Sequence, residues 1–238
     1  MRMTSKQLEL PLKNSHGGRR KGAGRPNRSG LQAHIRRPRL KRGEPVHVTL
    51  KLRGDLPSLR RKESFRCLKA AVRKARAQGL RIIHFAILSN HIHLILESSG
   101  SELRRPLQSL GISLSKRINA TMGRRGSVLV ERYYAHVLKT PSEARNALAY
   151  VLTNESRHER RSQRPKAWRT HCFTIRFDPF SSALAFSPKD WKPLLGTAPL
   201  LQSTNWNGST VDAWHSEVLS PPLSWLLKSG WKRGAPRH

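Results

Sequence analysis

The sequence is short of acid. Against 46 Lys and Arg it carries 14 Asp and Glu, a formal net charge of +32 over 238 residues. That imbalance selects a polyanionic partner, nucleic acid first. An anionic membrane would call for a basic amphipathic helix or a lipid anchor, and neither is evident at the termini. Cysteine is scarce too. Cys67 and Cys172 are far apart and match no zinc or redox spacing, so a disulfide framework is not expected and a reducing cytosol is. No apolar run approaches the ~18 residues that suggest a membrane helix. Residues 1–11 place Glu9 among their leucines and lack the apolar stretch of a secretory signal. No Gly-rich loop with a phosphate-binding Lys is present, so no nucleotide cofactor is expected. Hydrophobic residues make up 37%, low for a compact chain, so part of it is expected to lie outside a core.

Composition divides the chain. Residues 1–45 hold 13 Lys and Arg, two Glu, six Gly and no aromatic residue. Such a segment cannot bury enough apolar surface to offset its ordering entropy, so a disordered basic arm is expected. Its candidate DNA contacts are Arg19, Arg20, Lys21, Arg25 and Arg28. Gly24-Arg25-Pro26 has the narrow form of a minor-groove hook, but Ala23 stands where such a hook carries a further Arg. A sequence-blind phosphate-binding arm is therefore the reading. Residues 46–158 carry the clear element patterns and are expected to be the catalytic domain. Residues 159–238 hold all six Trp and read as an irregular extension. Trp191, Trp206, Trp214, Trp225 and Trp231 can stack on unpaired bases or pin the extension to the domain. Packing is the reading for most of them, and Trp231, beside Lys232 and Arg233, is the one expected at DNA.

Within the middle segment, VHVTLKL (46–52) alternates apolar and polar residues like a half-buried strand. Residues 59–78 repeat apolar positions at helical spacing, with Gly79 as a stop. RIIHFAIL (81–88) and HIHLILE (91–97) are strand-like and joined by a Ser89-Asn90 turn. Residues 101–121 are helical, with Lys116, Arg117, Gln108 and Ser115 offered to DNA. Arg124 and Arg125 follow, also as DNA contacts. ERYYAHVLK (131–139) is a fourth strand. Residues 141–154 form a third helix that Thr140 can cap, with Pro141 and Glu143 suited to its first turn. The order βαββαβα predicts an α+β, ferredoxin-like antiparallel sheet with helices on one face and the third helix near the sheet edge.

His91-Ile92-His93 is the sharpest local feature. In a strand both imidazoles project to one face and can chelate one divalent metal. A plain pair of solvent-facing histidines has the same signature. Tyr150 and Asn154, four apart on a helix, share a face. A Tyr hydroxyl can attack phosphorus, and the Asn154 amide oxygen can serve as a third metal ligand. By residue type alone Tyr133, Tyr134 and Tyr150 compete for the nucleophile. His84 is read as a partly buried strand histidine hydrogen-bonded to backbone, with a supporting role to the pair as the alternative.

SNHIHLIL (89–96), GSVLVERYYAHVLKTP (126–141) and NALAYVLTN (146–154), in that order, resemble the single-tyrosine HUH transposases. The resemblance is closest to the REP-associated tyrosine transposases of bacteria, and GGRRKGAGRP (17–26) and PPLSWLLKSGWKR (221–233) resemble flanks of a subgroup. It implies His91 and His93 as metal ligands, Tyr150 as nucleophile, Asn154 as the completing ligand, and Mg²⁺ or Mn²⁺ as the metal. The implied substrate is single-stranded DNA at hairpins of palindromic repeats, cleaved to a 5′-phosphotyrosine and a free 3′-OH. Many relatives have Asn-Pro where this chain has Glu155-Ser156 after Asn154, which leaves Glu155 as an added ligand or a helix end. The implied setting is the bacterial cytosol, at the nucleoid, as monomer or homodimer. A non-catalytic nucleic-acid binder of the same descent is the alternative.

Overall fold

Apolar residues on alternate positions of β1 (Pro45–Lys51) decide which way the sheet faces. Val46, Val48 and Leu50 are buried, while His47, Thr49 and Lys51 point the other way. In the computed structural model, which describes residues 40–98, 103–154, 174–176, 178, 180–196, 200–202, 215 and 217–234, four strands form one antiparallel sheet. They are β1, β2 (Arg81–Ile87), β3 (His91–Glu97) and β4 (Tyr134–Val137), ordered β2-β3-β1-β4. Helices α1 (Lys62–Ala77), α2 (Arg104–Thr121) and α3 (Pro141–Leu152) intervene in the chain order βαββαβα. The arm residues Arg19, Arg20, Lys21, Arg25 and Arg28, together with Glu155, Trp206 and Trp214, lie outside the described residues.

α1 and α2 pack on the face of Val46, Val48 and Leu50, where Leu68, Val72, Leu107, Leu110 and Leu114 complete a core with Phe85, Ile92 and Leu94. α3 corrects the expectation of helices on one face and a third helix at the sheet edge. It lies across the opposite face, packing against β2 and β3, and Ala144, Leu148 and Val151 form a second core with Ile83, Ala86 and Ile95. The physical reason is visible in RIIHFAIL, whose near-continuous apolar run needs cover on both faces. The fourth strand is shorter than residues 131–139, because residues 131–133 leave the ladder to line a groove beside α2.

Of the segment after α3, the described residues form the helices Trp191–Leu195 and Trp225–Lys228, three 3₁₀ turns, and a parallel pair, β5 (Thr174–Arg176) with β6 (Leu200–Gln202). The segment covers the outer edge of β2, where Ile87 N–H donates to the Phe180 carbonyl at 2.7 Å and Ser220 N–H to the Ile82 carbonyl at 2.7 Å. Trp191 and Trp231 are buried in the second core. Trp231 therefore packs under α3, and the expectation that it meets DNA is corrected. Its neighbours Lys232 and Arg233 are exposed while the indole turns inward, as the tight 3₁₀ turn Gly230–Arg233 allows. Among the described residues the exposed indole is Trp225, with the Arg233 guanidinium 5.4 Å from its ring centre.

His84 fastens this segment rather than supporting the histidine pair. Its Nδ1 lies 3.1 Å from Ser182 Oγ, and its ring meets Phe186 edge-on. Burial pushes its pKa down to about 4 from the usual 6.5. The unfolded chain therefore takes up a proton as pH falls below 6.5, while the folded chain stays neutral until about 4. The stabilising term is full above pH 6.5 and is lost down to pH 4, at up to ~1.4 kcal/mol per pH unit for such a group. Urea titrations across that window are expected to show falling stability, with a shallower fall in His84→Gln. An unchanged slope in that variant would mean His84 charges freely in the folded state.

Candidate active site

The register of β1 on β3 assembles the site. Thr49 faces His93 and Lys51 faces His91, and residues paired across strands share a face. Both histidines thus project toward α3, with ring centres 4.9 Å apart. On each imidazole Nδ1 has a side-chain partner. Asn90 Oδ1 lies 2.9 Å from His91 Nδ1, and Thr49 Oγ1 lies 3.0 Å from His93 Nδ1. An amide oxygen only accepts, so the tautomer this contact favours has the proton on His91 Nδ1. Such partners hold imidazoles in the tautomer and orientation a metal requires.

α3 brings the phenol. Its start is fixed by a capping box, in which Thr140 Oγ1 accepts the Glu143 N–H at 3.2 Å and the Glu143 carboxylate accepts the Lys139 and Thr140 N–H groups. Its buried face is set by Ala144, Leu148 and Val151. Arg145, also buried, donates to the carbonyls of Leu194 and Gly234 and ties the helix to the C-terminal segment. So placed, Tyr150 Oη lies 3.4 Å from His93 Nε2, with ring centres 4.9 Å apart. Tyr150 is 36% exposed, open to a substrate. Tyr134, paired with Thr49, lies on the same sheet face, while Tyr133 lines the groove beside α2. Among the three tyrosines left open by residue type, Tyr150 is the one whose hydroxyl reaches His93.

Asn154 follows α3 one turn beyond Tyr150. It is 2% exposed, and neither Nδ2 nor Oδ1 has a hydrogen-bond partner. A buried amide with both ends unsatisfied is costly and asks for a ligand. No cluster of three or more His, Cys, Asp or Glu suited to a metal occurs among the described residues. Two imidazoles on one sheet face and an unpartnered buried amide are donor types that a divalent metal accepts.

His47 was missed in the sequence. It sits on the same face, 5.4 Å from the His93 ring and 5.9 Å from that of Tyr150, with its Nε2 buried and without a partner. Burial, and then the nearby His136, push its pKa down to about 4, so it stands as a neutral imidazole at neutral pH. The alternation of VHVTLKL puts His47 on the polar face, and only the pairing with β3 brings it beside His93.

The basic residues divide. Lys116 and Arg117 lie on α2, across the sheet from the histidines, and Arg117 Nε donates to Ser113 Oγ. Arg124 and Arg125 lie in the loop after α2. That loop reaches the His91 end of β3, where Leu52 N–H donates to the Asn90 carbonyl and Arg53 N–H to the Val128 carbonyl.

Over about two thirds of the chain the fold is similar to that of a solved tyrosine transposase. One solved structure, a REP-associated tyrosine transposase bound to a REP hairpin, aligns with a TM-score of 0.50 at 19% identity, covering 67% of this chain and 91% of that one. Another, assigned as a transposase from Deinococcus radiodurans R1, aligns with a TM-score of 0.34 at 13% identity, covering 56% of this chain and 97% of that one. No protein-family model and no curated protein sequence matches the chain. No helix among the described residues is long and apolar enough to cross a membrane.

Proposed function

We propose that this chain is a single-strand DNA transposase of the REP-associated tyrosine kind, with a ferredoxin-like catalytic domain over residues 46–158. The observation that carries the reading is the Tyr150 hydroxyl 3.4 Å from His93 Nε2, beside a second imidazole on the same face. His91 Nε2, His93 Nε2 and the Asn154 amide would hold Mg²⁺ or Mn²⁺. When bound, the metal supplies Lewis-acid polarisation of the scissile phosphate. Tyr150 Oη attacks that phosphorus, the new bond is P–Oη, and the bond that breaks is P–O3′. The phenol proton leaves to solvent, and the departing 3′ oxygen takes a proton to become the free 3′-OH. The phosphotyrosine conserves the phosphodiester, so a 3′-OH can reverse the step and join strands. Asn90 and Thr49 hold the two imidazoles, and α3 holds the phenol.

The substrate we propose is single-stranded DNA at hairpins of palindromic repeats in the bacterial nucleoid. The basic arm over residues 1–45 would capture it through phosphates, and Arg124 and Arg125 would guide it at the His91 end of the sheet. The test uses the full chain, a labelled hairpin with single-stranded flanks, and Mn²⁺, resolved on a denaturing gel. A band shifted by covalently attached DNA is expected with metal and lost with chelator. In His91→Ala the band is expected to fall by about 100-fold or more, in line with the loss of a metal ligand. Binding without an adduct on any palindromic hairpin would instead make the chain a DNA binder.

A further inference from the structure

The groove on the far side of the sheet has no role in the reaction above. It is an open cleft of about 850 Å³ between α2 and residues 127–133, within the size range of small-molecule sites. Its floor is apolar, with Leu50, Leu107 and Leu129. Its wall includes Ile112, 49% exposed, beside Gln108 and Ser115 on one stripe of α2. Arg104, Lys116 and Arg132 stand around it against a single acid, Glu131. Gly111 lets the two walls approach, since a Cβ there would meet Leu129 Cδ1 at 3.1 Å.

We infer that this groove receives an unpaired nucleobase of single-stranded DNA. An apolar floor lined by Leu50, Leu107 and Leu129, with the Gln108 amide and Ser115 hydroxyl beside it, suits a base, whose faces are apolar and whose edges are polar, and the cationic rim suits the flanking phosphates. A duplex presents only phosphates and groove edges at its surface and would leave Ile112 unused. The cationic rim disfavours basic segments, this chain's own arm included. The path to the active site runs over β4, which ends the sheet. Tyr133 lines the groove on one side of that edge, and Tyr134, 47% exposed, stands on the histidine side. A strand crossing the edge meets both rings.

The inference shares with the proposed function the premise that single-stranded DNA is the substrate, and its test needs no cleavage. Fluorescence anisotropy on the full chain, in chelator, measures binding of hairpins in which each unpaired flanking nucleotide in turn is made abasic. At one position the loss of the base is expected to weaken wild-type binding by about five-fold or more, in line with base stacking on protein. Ile112→Glu and Ser115→Trp, which occlude or charge the groove, should weaken the intact hairpin by a similar factor and become insensitive to that abasic site. Circular dichroism confirms that both variants are folded. Equal sensitivity to every abasic position in wild type and variants would overturn the inference. So would an Ile112→Glu variant that changes only the sedimentation mass, since the groove would then join copies of the chain. Failure of the proposed cleavage leaves the anisotropy result readable.

Discussion

Tyr150→Phe is expected to leave hairpin binding within about two-fold of wild type and to eliminate covalent protein–DNA adducts, with strand cleavage reduced by at least ~10³-fold. The asymmetry follows from the site. The ring makes edge contacts with His47 and His93 that phenylalanine keeps. Tyr150 is partly exposed and its hydroxyl contact to His93 is long, so removing the hydroxyl costs little. What disappears is the one oxygen able to form the P–O bond. Tyr134→Phe serves as the control, because that phenol shares the sheet face without being the one that reaches His93. Adducts formed by Tyr150→Phe and absent from Tyr134→Phe would transfer the role to Tyr134.

The second large effect falls on stability. Glu97 is buried at the end of β3, where its carboxylate accepts the Leu223 N–H, the Ser224 N–H at 2.9 Å and the Ser224 hydroxyl. These bonds seat the start of helix Trp225–Lys228, and the turn after it carries Trp231 beneath α3. Glu97→Ala removes all three acceptor contacts and leaves a void. Destabilisation of about 2–3 kcal/mol is expected, a fall in Tm of roughly 5–10 °C for a chain of this size. Glu97→Gln keeps one acceptor oxygen and should lose less. Differential scanning calorimetry reads both. A change in Glu97→Ala below about 0.5 kcal/mol would show that water satisfies these donors once the carboxylate is gone.

The elements most legible in the sequence were those with one buried face. β1 alternates and α2 repeats its leucines at helical spacing, because each meets water on its other side. β2 and β3 are buried on both faces, so their apolar run marks strands without saying which face α3 takes. His91 and His93 were legible because a two-residue step is local. His47 was not, since its place beside His93 depends on a strand pairing more than forty residues away. Asn154 was marked by its four-residue step from Tyr150, and its unsatisfied burial emerges only once α3 is packed. Trp231 misled because two cations follow it, and a 3₁₀ turn separates their directions from its own. The groove beside α2 left a trace as Gln108, Ser115 and Lys116, but its other wall comes from residues 127–133.

The most direct test of the central claim is to locate the covalent bond. Wild-type protein is incubated with a single-stranded hairpin and Mn²⁺, digested with nuclease and protease, and mapped by mass spectrometry. A nucleotide remnant on the peptide containing Tyr150, joined through phosphate and absent when metal is withheld, is the predicted result. A remnant on the peptide of Tyr133 and Tyr134, or an adduct that forms equally in chelator, would contradict it.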